Sequence, residues 1–310
     1  MAAPLNRLTF RATMAQVSVP ATSANLGSGF DCFGLALDIR DRYAAQILDD
    51  QVFDVDVSGE GADEIKKDGK NLVIKSMMKG FEFMGGKPRG IALRALNVIP
   101  QGRGLGSSAS AIVGGLALAR ALVLSGDEYM SDDDLLAIGT EIEGHPDNIA
   151  AAIFGGATIA WMENIMGKEF ARAVPLQVDP TIKALVFLPE NHLATTKARK
   201  LLPETVPHHD AAVNASRSAL LVHALTQRPD LLLPATQDLI HQNYRSEAMP
   251  KSVALMKKFR EAGFAATISG AGPAVLVLHT QTQAELPELQ ALAPDSFTAI
   301  SAQISANGVS

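Results

Sequence analysis

The chain has 310 residues, 47% of them hydrophobic, and a formal net charge of −6. That is enough apolar material for a large core and two domains, and an acidic balance with no basic block argues against a nucleic-acid partner. A single cysteine, Cys32, excludes an internal disulfide and fits a reducing compartment; no apolar run long enough to span a bilayer escapes interruption by glycine or charge.

Residues 1–15 carry Arg7 and Arg11 but no apolar signal core, so the fold is expected to begin near Met14. Residues 15–20 read as a short strand. A loop of small residues and glycines follows over 21–38, in which Asn25 and Asp31 can make directed hydrogen bonds or meet a cation. An Asx-type turn explains both residues through local backbone bonding and, taken alone, is the favoured reading. Residues 43–58 read as paired strands, 59–70 as a charged connection, and 71–84 as an amphipathic helix with apolar Leu72, Met77, Met78 and Phe81.

Residues 90–99 form a plausible strand and 109–124 one buried helix of small and aliphatic residues. Between them runs Pro100-Gln-Gly-Arg-Gly-Leu-Gly-Ser-Ser-Ala109, with two serines where the helix cap belongs. Gly102, Gly104 and Gly106 let the backbone approach a ligand, and a helix start offers unpaired N–H groups, so the construction suits an anion. A plain turn is the competing reading. A Walker loop is excluded because no lysine follows the last glycine, and a dinucleotide fold because the glycine spacing is wrong.

Ser131 caps a helix whose first turn is Asp132, Asp133 and Asp134, a cluster that suits the helix dipole better than a metal. Gly144 ends that helix and Pro146 opens the next, which holds His145, Asp147 and Asn148 at a second helix start beside Glu141 and Glu143. A carboxylate, an imidazole and an amide in one loop make a candidate site. Composition turns near Gln177, placing a domain boundary between about 165 and 180. Beyond it come a buried strand over 182–188, helices over 195–201, 208–226, within 247–262 and over 284–292, and strands over 264–269, 275–279 and 297–304. This interleaving predicts an α+β second domain. His208, His209 and Asp210 lack further ligands at zinc spacing.

Three stretches together carry a resemblance. Pro20-Ala-Thr-Ser-Ala-Asn-Leu-Gly-Ser-Gly-Phe-Asp31, the glycine loop from Pro100 to Ala109, and Ser269-Gly-Ala-Gly-Pro273 resemble, in order and spacing, the three signature motifs of the GHMP small-molecule kinases. The likeness covers about 16–304. It implies an α+β, two-domain fold: an ATP-binding domain over 14–170 resembling ribosomal protein S5 domain 2, and a ferredoxin-like domain over 171–306.

The first motif, Glu143-Gly-His-Pro-Asp-Asn148, Thr195-Thr-Lys-Ala-Arg199 and His241-Gln-Asn-Tyr-Arg245 are similar to segments of the homoserine-kinase branch. The resemblance implies ATP-dependent phosphorylation of the L-homoserine hydroxyl, by a cytoplasmic homodimer in threonine biosynthesis. Pro100, Gly102, Arg103, Gly104, Leu105, Gly106, Ser107, Ser108 and Ala109 would wrap the triphosphate, with Asn71 near the base and Gly270 and Gly272 supporting the loop. Ser108 and Glu143 would hold Mg²⁺, with Glu141 as the alternative. Asn25, Asp31, His145, Asp147 and Asn148 would line the substrate site. Arg199 and Arg245 would clamp the carboxylate, with Arg103 and Arg217 as rivals. Asn148, Asp147 and Asp31 are the catalytic candidates. Asn148 stands where several sister kinases carry an aspartate base, so transfer by alignment, with Asn148 and Asp147 orienting the hydroxyl, is expected. The alternatives are a kinase for another small alcohol such as mevalonate, and a silent ligand-binding relative. Asp31 opposes the first, and the intact serine pair and glutamates oppose the second.

Overall fold

The computed structural model describes residues 8–280 and 286–310. Its first unit is a six-stranded sheet in the order β3-β4-β2-β5-β6, with β1 also on β2. β1 (Ala15–Ala24) and β2 (Phe33–Leu48) take in both ends of the expected 21–38 loop, leaving 25–32 between them, and pair antiparallel with one irregularity after Pro20. β3 (Phe53–Gly59) does not pair with β2, as residues 43–58 suggested. β4 (Gly90–Asn97) lies between them, antiparallel to β2 and parallel to β3.

Five helices cover one face: α1 (Leu72–Phe83), α2 (Ser107–Ala121), α3 (Gly126–Tyr129), α4 (Asp132–Glu143) and α5 (Asp147–Phe154). Alternate strand residues such as Val19, Tyr43, Ile91 and Leu93 meet Ile74, Met77, Ile112 and Leu116 in one core. Ser131 caps α4 in a capping box with Asp134, as expected.

The hairpin β5 (Ala157–Ile165) and β6 (Lys168–Leu176) completes the sheet. Because that pairing runs to Leu176, the expected domain limit at 170 falls inside a strand; the next sheet starts at Lys183.

The fold also begins earlier than Met14. Leu8 is buried beneath Gly86, Phe10 stacks edge-on against Phe81 at 5.4 Å, and Arg11 N–H donates to the Leu122 carbonyl at 2.8 Å. The other end returns to the first unit rather than closing the second at 306. Gly156 N–H donates to the Ser305 carbonyl and Val309 N–H to Ala152, while Arg40 binds Ser18, Ser305 and Gly308.

The second unit contains β7 (Lys183–Pro189), α6 (Thr195–Arg199), α7 (His208–Thr226), α8 (Leu232–Ala235), α9 (Pro250–Glu261), β8 (Ala265–Ile268), β9 (Val275–His279), α10 (Leu286–Ala291) and β10 (Phe297–Ala302). The antiparallel order β10-β7-β9-β8 is that of a ferredoxin-like sheet. Residues 284 and 285 of the expected last helix lie outside the described residues. After its exposed first residue, Lys183, β7 is apolar because both its faces are covered: Leu185 and Phe187 pack toward Phe259, while Ala184, Val186 and Leu188 join Leu35, Leu37 and Leu276. That second cluster is built from both units, so the glycine loop and the second sheet are set against a common core.

Candidate active site

The three motifs interlock through backbone. Thr22 N–H donates to the Leu105 carbonyl, Ala274 N–H to Arg103, and Gly270 N–H to Ala24. Ser269 Oγ contacts both Ser23 Oγ at 2.8 Å and the Gly104 carbonyl at 2.6 Å. Gly104 and Gly106 have φ of 82° and 68°, and a Cβ at either would collide, with the Ser269 carbonyl and Thr22 Oγ1 respectively. Only glycine satisfies both the dihedral and the space there.

Gly106, and not a serine, is the N-cap of α2; Ser107 and Ser108 are its first helical residues and neither caps it. The N–H groups of this first turn are therefore the exposed anion-facing set. Ser108 Oγ donates to Glu143 Oε2 at 2.6 Å, joining the starts and ends of α2 and α4. Glu141 points elsewhere, to Lys79 at 3.4 Å. A hydroxyl and a carboxylate are hard oxygen donors of the kind that suits Mg²⁺ held largely by phosphate and water. Among the described residues no group of three or more His, Cys, Asp or Glu offers a closed metal site.

A cavity of about 190 Å³ opens from the glycine loop toward α5, α6 and the Gly270 loop. Asn25, Asp31, Glu143, His145, Asp147 and Asn148 line it, together with Arg199, Arg245 and Gly270. Pro100, Arg103, Leu105, Ala109, Arg217 and Gly272 are not among its lining residues. Arg103 instead reaches the Pro189 carbonyl, Leu105 and Ala109 are core, and Gly272 lies against Met249.

A second pocket, of about 160 Å³, shares Ser107 and Ser108 with the first and is walled by Tyr43, Val57, Ile65, Leu72, Ala95 and Ala111. Asn71 borders it, but its side chain is committed: Oδ1 accepts from Val73 N–H, capping α1, and Nδ2 donates to the Lys66 carbonyl.

The polar residues of the first cavity form two hydrogen-bonded sets, one around Asn25 and Asp31 and one around Asp147 and Asn148. Asn25 Nδ2 donates to the Gly270 carbonyl and its Oδ1 accepts from Asp31 N–H, so this side chain ties the first motif to the third. Asn25 and Asp31 both adopt positive φ, 72° and 54°. Thr22 Oγ1 donates to Asn148 Oδ1 at 2.8 Å, which leaves Asn148 presenting its NH₂ as a donor. Asp147 Oδ1 accepts from Asn148 N–H at 2.7 Å and lies 2.7 Å from His145 Nδ1. Burial pulls the His145 pKa down, but the hydrogen bond and charge of Asp147 outweigh it, and the net shift is upward.

The two arginines differ. Arg199 grips Asp31 with both terminal nitrogens, at 3.0 and 2.5 Å. Arg245 is 1% exposed and has no carboxylate partner among the described residues. Its contacts are long, 3.3 Å to His241 Nδ1 and 3.4 Å to the Gly270 carbonyl, and its Nε is unpartnered. Burial, reinforced by the charge of Arg199, pushes its pKa down to about 10. Both guanidiniums lie over the Phe30 ring, at 5.6 and 5.2 Å. His241 stacks on that ring and its Nε2 lies 2.8 Å from the Gly27 carbonyl, so it locks Arg245 to the first motif. Thr22, Phe30 and His241 were missed as site residues. The i, i+4 spacing of His241 and Arg245 was the available signal for one of them.

The chain matches the GHMP kinases N terminal domain over residues 71–156 and the GHMP kinases C terminal domain over 220–289. It is 46% identical to the homoserine kinase of Streptomyces avermitilis, covering 97% of this chain and 96% of that one. It is 49% identical to that of Clavibacter michiganensis, covering 85% and 82%. The crystal structure of homoserine kinase from Cytophaga hutchinsonii superposes with a TM-score of 0.83 at 26% identity, covering 98% of this chain and 99% of that one. The mevalonate kinase of Methanococcus jannaschii, at 14% identity and TM-score 0.62, shares the fold. Similar over nearly its whole length to proteins of one kind, the chain belongs to the GHMP kinases and, within them, to the homoserine kinase family.

Proposed function

We propose that the protein transfers the γ-phosphoryl group of ATP to the side-chain hydroxyl of L-homoserine, giving O-phospho-L-homoserine and ADP. The observation that carries this reading is the buried Arg245 guanidinium, without a carboxylate partner among the described residues, in the same cavity as the N–H-rich start of α2. A substrate carboxylate supplies the missing partner through charge-assisted hydrogen bonds. Arg199, already held by Asp31, flanks it, and Asp31 retains acceptor capacity for the substrate ammonium.

The triphosphate lies along the backbone of 102–108, with the base in the apolar pocket beside Leu72. Ser108 and Glu143 would hold Mg²⁺, which neutralises charge on the phosphates when bound. Asn148 NH₂ and Asp147 orient the hydroxyl, and His145 holds Asp147 in place. Asn148 presents a donor, so it cannot take the proton; as the hydroxyl oxygen bonds the γ-phosphorus and the bond to ADP breaks, the proton passes to an oxygen of the transferred phosphoryl group. Phosphoryl transfer with a loose transition state needs mainly alignment and charge stabilisation, which these contacts supply. The homodimer and the cytoplasmic setting rest on family resemblance. Among the described residues no helix is long and apolar enough to cross a membrane.

The test is ADP release with MgATP and a panel of L-homoserine, D-homoserine, L-serine, mevalonate and galactose. Turnover confined to L-homoserine is the expected result. Turnover with mevalonate or a sugar would discard the carboxylate–ammonium assignment while keeping the phosphate site.

A further inference from the structure

Asp41 stands in β2 between two arginines in sequence, yet it is fully buried and lines neither pocket. Its Oδ1 accepts the N–H groups of Val98 and Ile99 at 2.7 and 2.9 Å. Its Oδ2 accepts from the hydroxyls of Tyr43 and Ser110, each at 2.9 Å. A buried carboxylate is costly unless its lone pairs are satisfied, and here four donors do so. Burial raises its pKa, and these hydrogen bonds work in the opposite direction.

The donors come from three places that matter. Val98 and Ile99 are the last residues before the glycine loop, and Ser110 is in the first turn of α2, directly after it. Tyr43 is a wall of the apolar pocket next to that helix start. One side chain thus holds both ends of the loop and the neighbouring pocket wall. Anion recognition by backbone N–H groups depends on where those groups are held, because no flexible side chain can adjust for a displaced loop.

We infer that Asp41 is a positioning residue for the nucleotide, fixing the apolar pocket that takes the base relative to the N–H groups that take the phosphates. The inference rests on the reading of this site as an ATP site. It deepens that reading by placing nucleotide affinity under the control of a residue that touches no ligand.

The test compares full-length wild type with Asp41→Ala, Asp41→Asn and Ser110→Ala. The readouts are calorimetric binding of the magnesium complex of an imido-bridged ATP analogue, KM for ATP and for L-homoserine, and Tm. Asp41→Ala is expected to weaken analogue binding and raise KM for ATP by about tenfold or more, with KM for L-homoserine changed by less than about twofold. Asn can keep its Oδ1 on both N–H groups and donate its NH₂ to both hydroxyls, so Asp41→Asn should stay within about threefold of wild type. Ser110→Ala, which loses one tie, should weaken nucleotide binding by about threefold and decides the matter if Asp41→Ala does not fold. Folded variants with a lowered Tm but unchanged nucleotide affinity would overturn the inference, since that is what a purely structural role predicts. A loss in Asp41→Asn as large as in Asp41→Ala would also overturn it, by assigning the effect to charge. A wild-type protein that bound no nucleotide would instead remove the ATP reading, and this inference with it.

Discussion

The two ends of the cavity recognise by different means. At the glycine loop the groups facing the ligand are backbone N–H donors and the Ser108–Glu143 pair, held by hydrogen bonds among three motifs. At the opposite end they are charged side chains drawn from four separate segments: Asp31, Asp147, Arg199 and Arg245. The first end is already held in place by those hydrogen bonds, with the N–H groups of the first turn of α2 left for a ligand. The second contains one guanidinium whose partner has to be brought in. On the proposed function, affinity for the nucleotide would be stored as geometry, and selectivity for the acceptor as an unbalanced charge.

That contrast makes opposite demands on stability, and the largest effect should come from the unbalanced charge. Replacing Arg245 with methionine removes a buried cation that has only long contacts and no carboxylate partner among the described residues, so Tm should hold or rise. The same change should lower kcat/KM for L-homoserine by about 10² to 10³-fold, the cost of truncating one member of a desolvated charge pair, while KM for ATP stays near wild type. Thermal unfolding beside steady-state kinetics checks both halves. A lowered Tm with little loss of activity would mean that Arg245 holds the fold and does not bind substrate.

At the glycine loop, stability and function should fall together. Gly106→Ala forces a Cβ against Thr22 Oγ1 at a φ of 68°, so about 2 kcal/mol of stability should be lost. Because Thr22 also holds Asn148, the displacement should reach the transfer step. KM for ATP should rise about tenfold and kcat should drop with it. Denaturant unfolding and initial rates at varied ATP measure the two effects. An alanine variant as stable as wild type would show that the loop is looser than its hydrogen bonds imply.

The same contrast governs how much could be read in the sequence. Alternating glycines before a helix announce a backbone site within one short stretch, and Gly104 and Gly106 occupy the conformations that pattern requires. The charged end is dispersed over residues 31 to 245. No local pattern joins Asp31 to Arg199; resemblance to a family named them, and the fold shows that they meet. The hairpin β5–β6 escaped notice because its pattern is inverted: small Ala157 and Ala160 face the core while Trp161, Met162 and Ile165 are exposed. Leu8 and Phe10 fell before the expected start of the fold because the groups that bury them, Gly86 and Phe81, lie more than seventy residues further along the chain. Nothing local marks Asp41, between Arg40 and Arg42, since three of its four hydrogen-bond donors lie more than fifty residues further along the chain.

The smallest effect should appear at His145, where the two ends meet. Its ring faces Asp147, Glu143 and Arg199; burial and Arg199 favour the neutral form, while Asp147 and Glu143 favour the cation and prevail. A histidine whose folded pKa lies above its ordinary value of 6.5 binds its proton more tightly when folded. Its contribution to stability is therefore fully present below that ordinary value and is lost as pH rises through the raised folded value. His145→Gln cannot titrate. The Tm of wild type should thus exceed that of His145→Gln by most near about pH 6, and the gap should narrow toward about pH 8. Thermal unfolding of both proteins across that window measures it. A gap that widened with pH would mean that the neutral ring is the form the fold prefers, with Asp147 held by Asn148 N–H rather than by an imidazolium, and the carboxylate proposed to orient the hydroxyl would then owe its position to α5 alone.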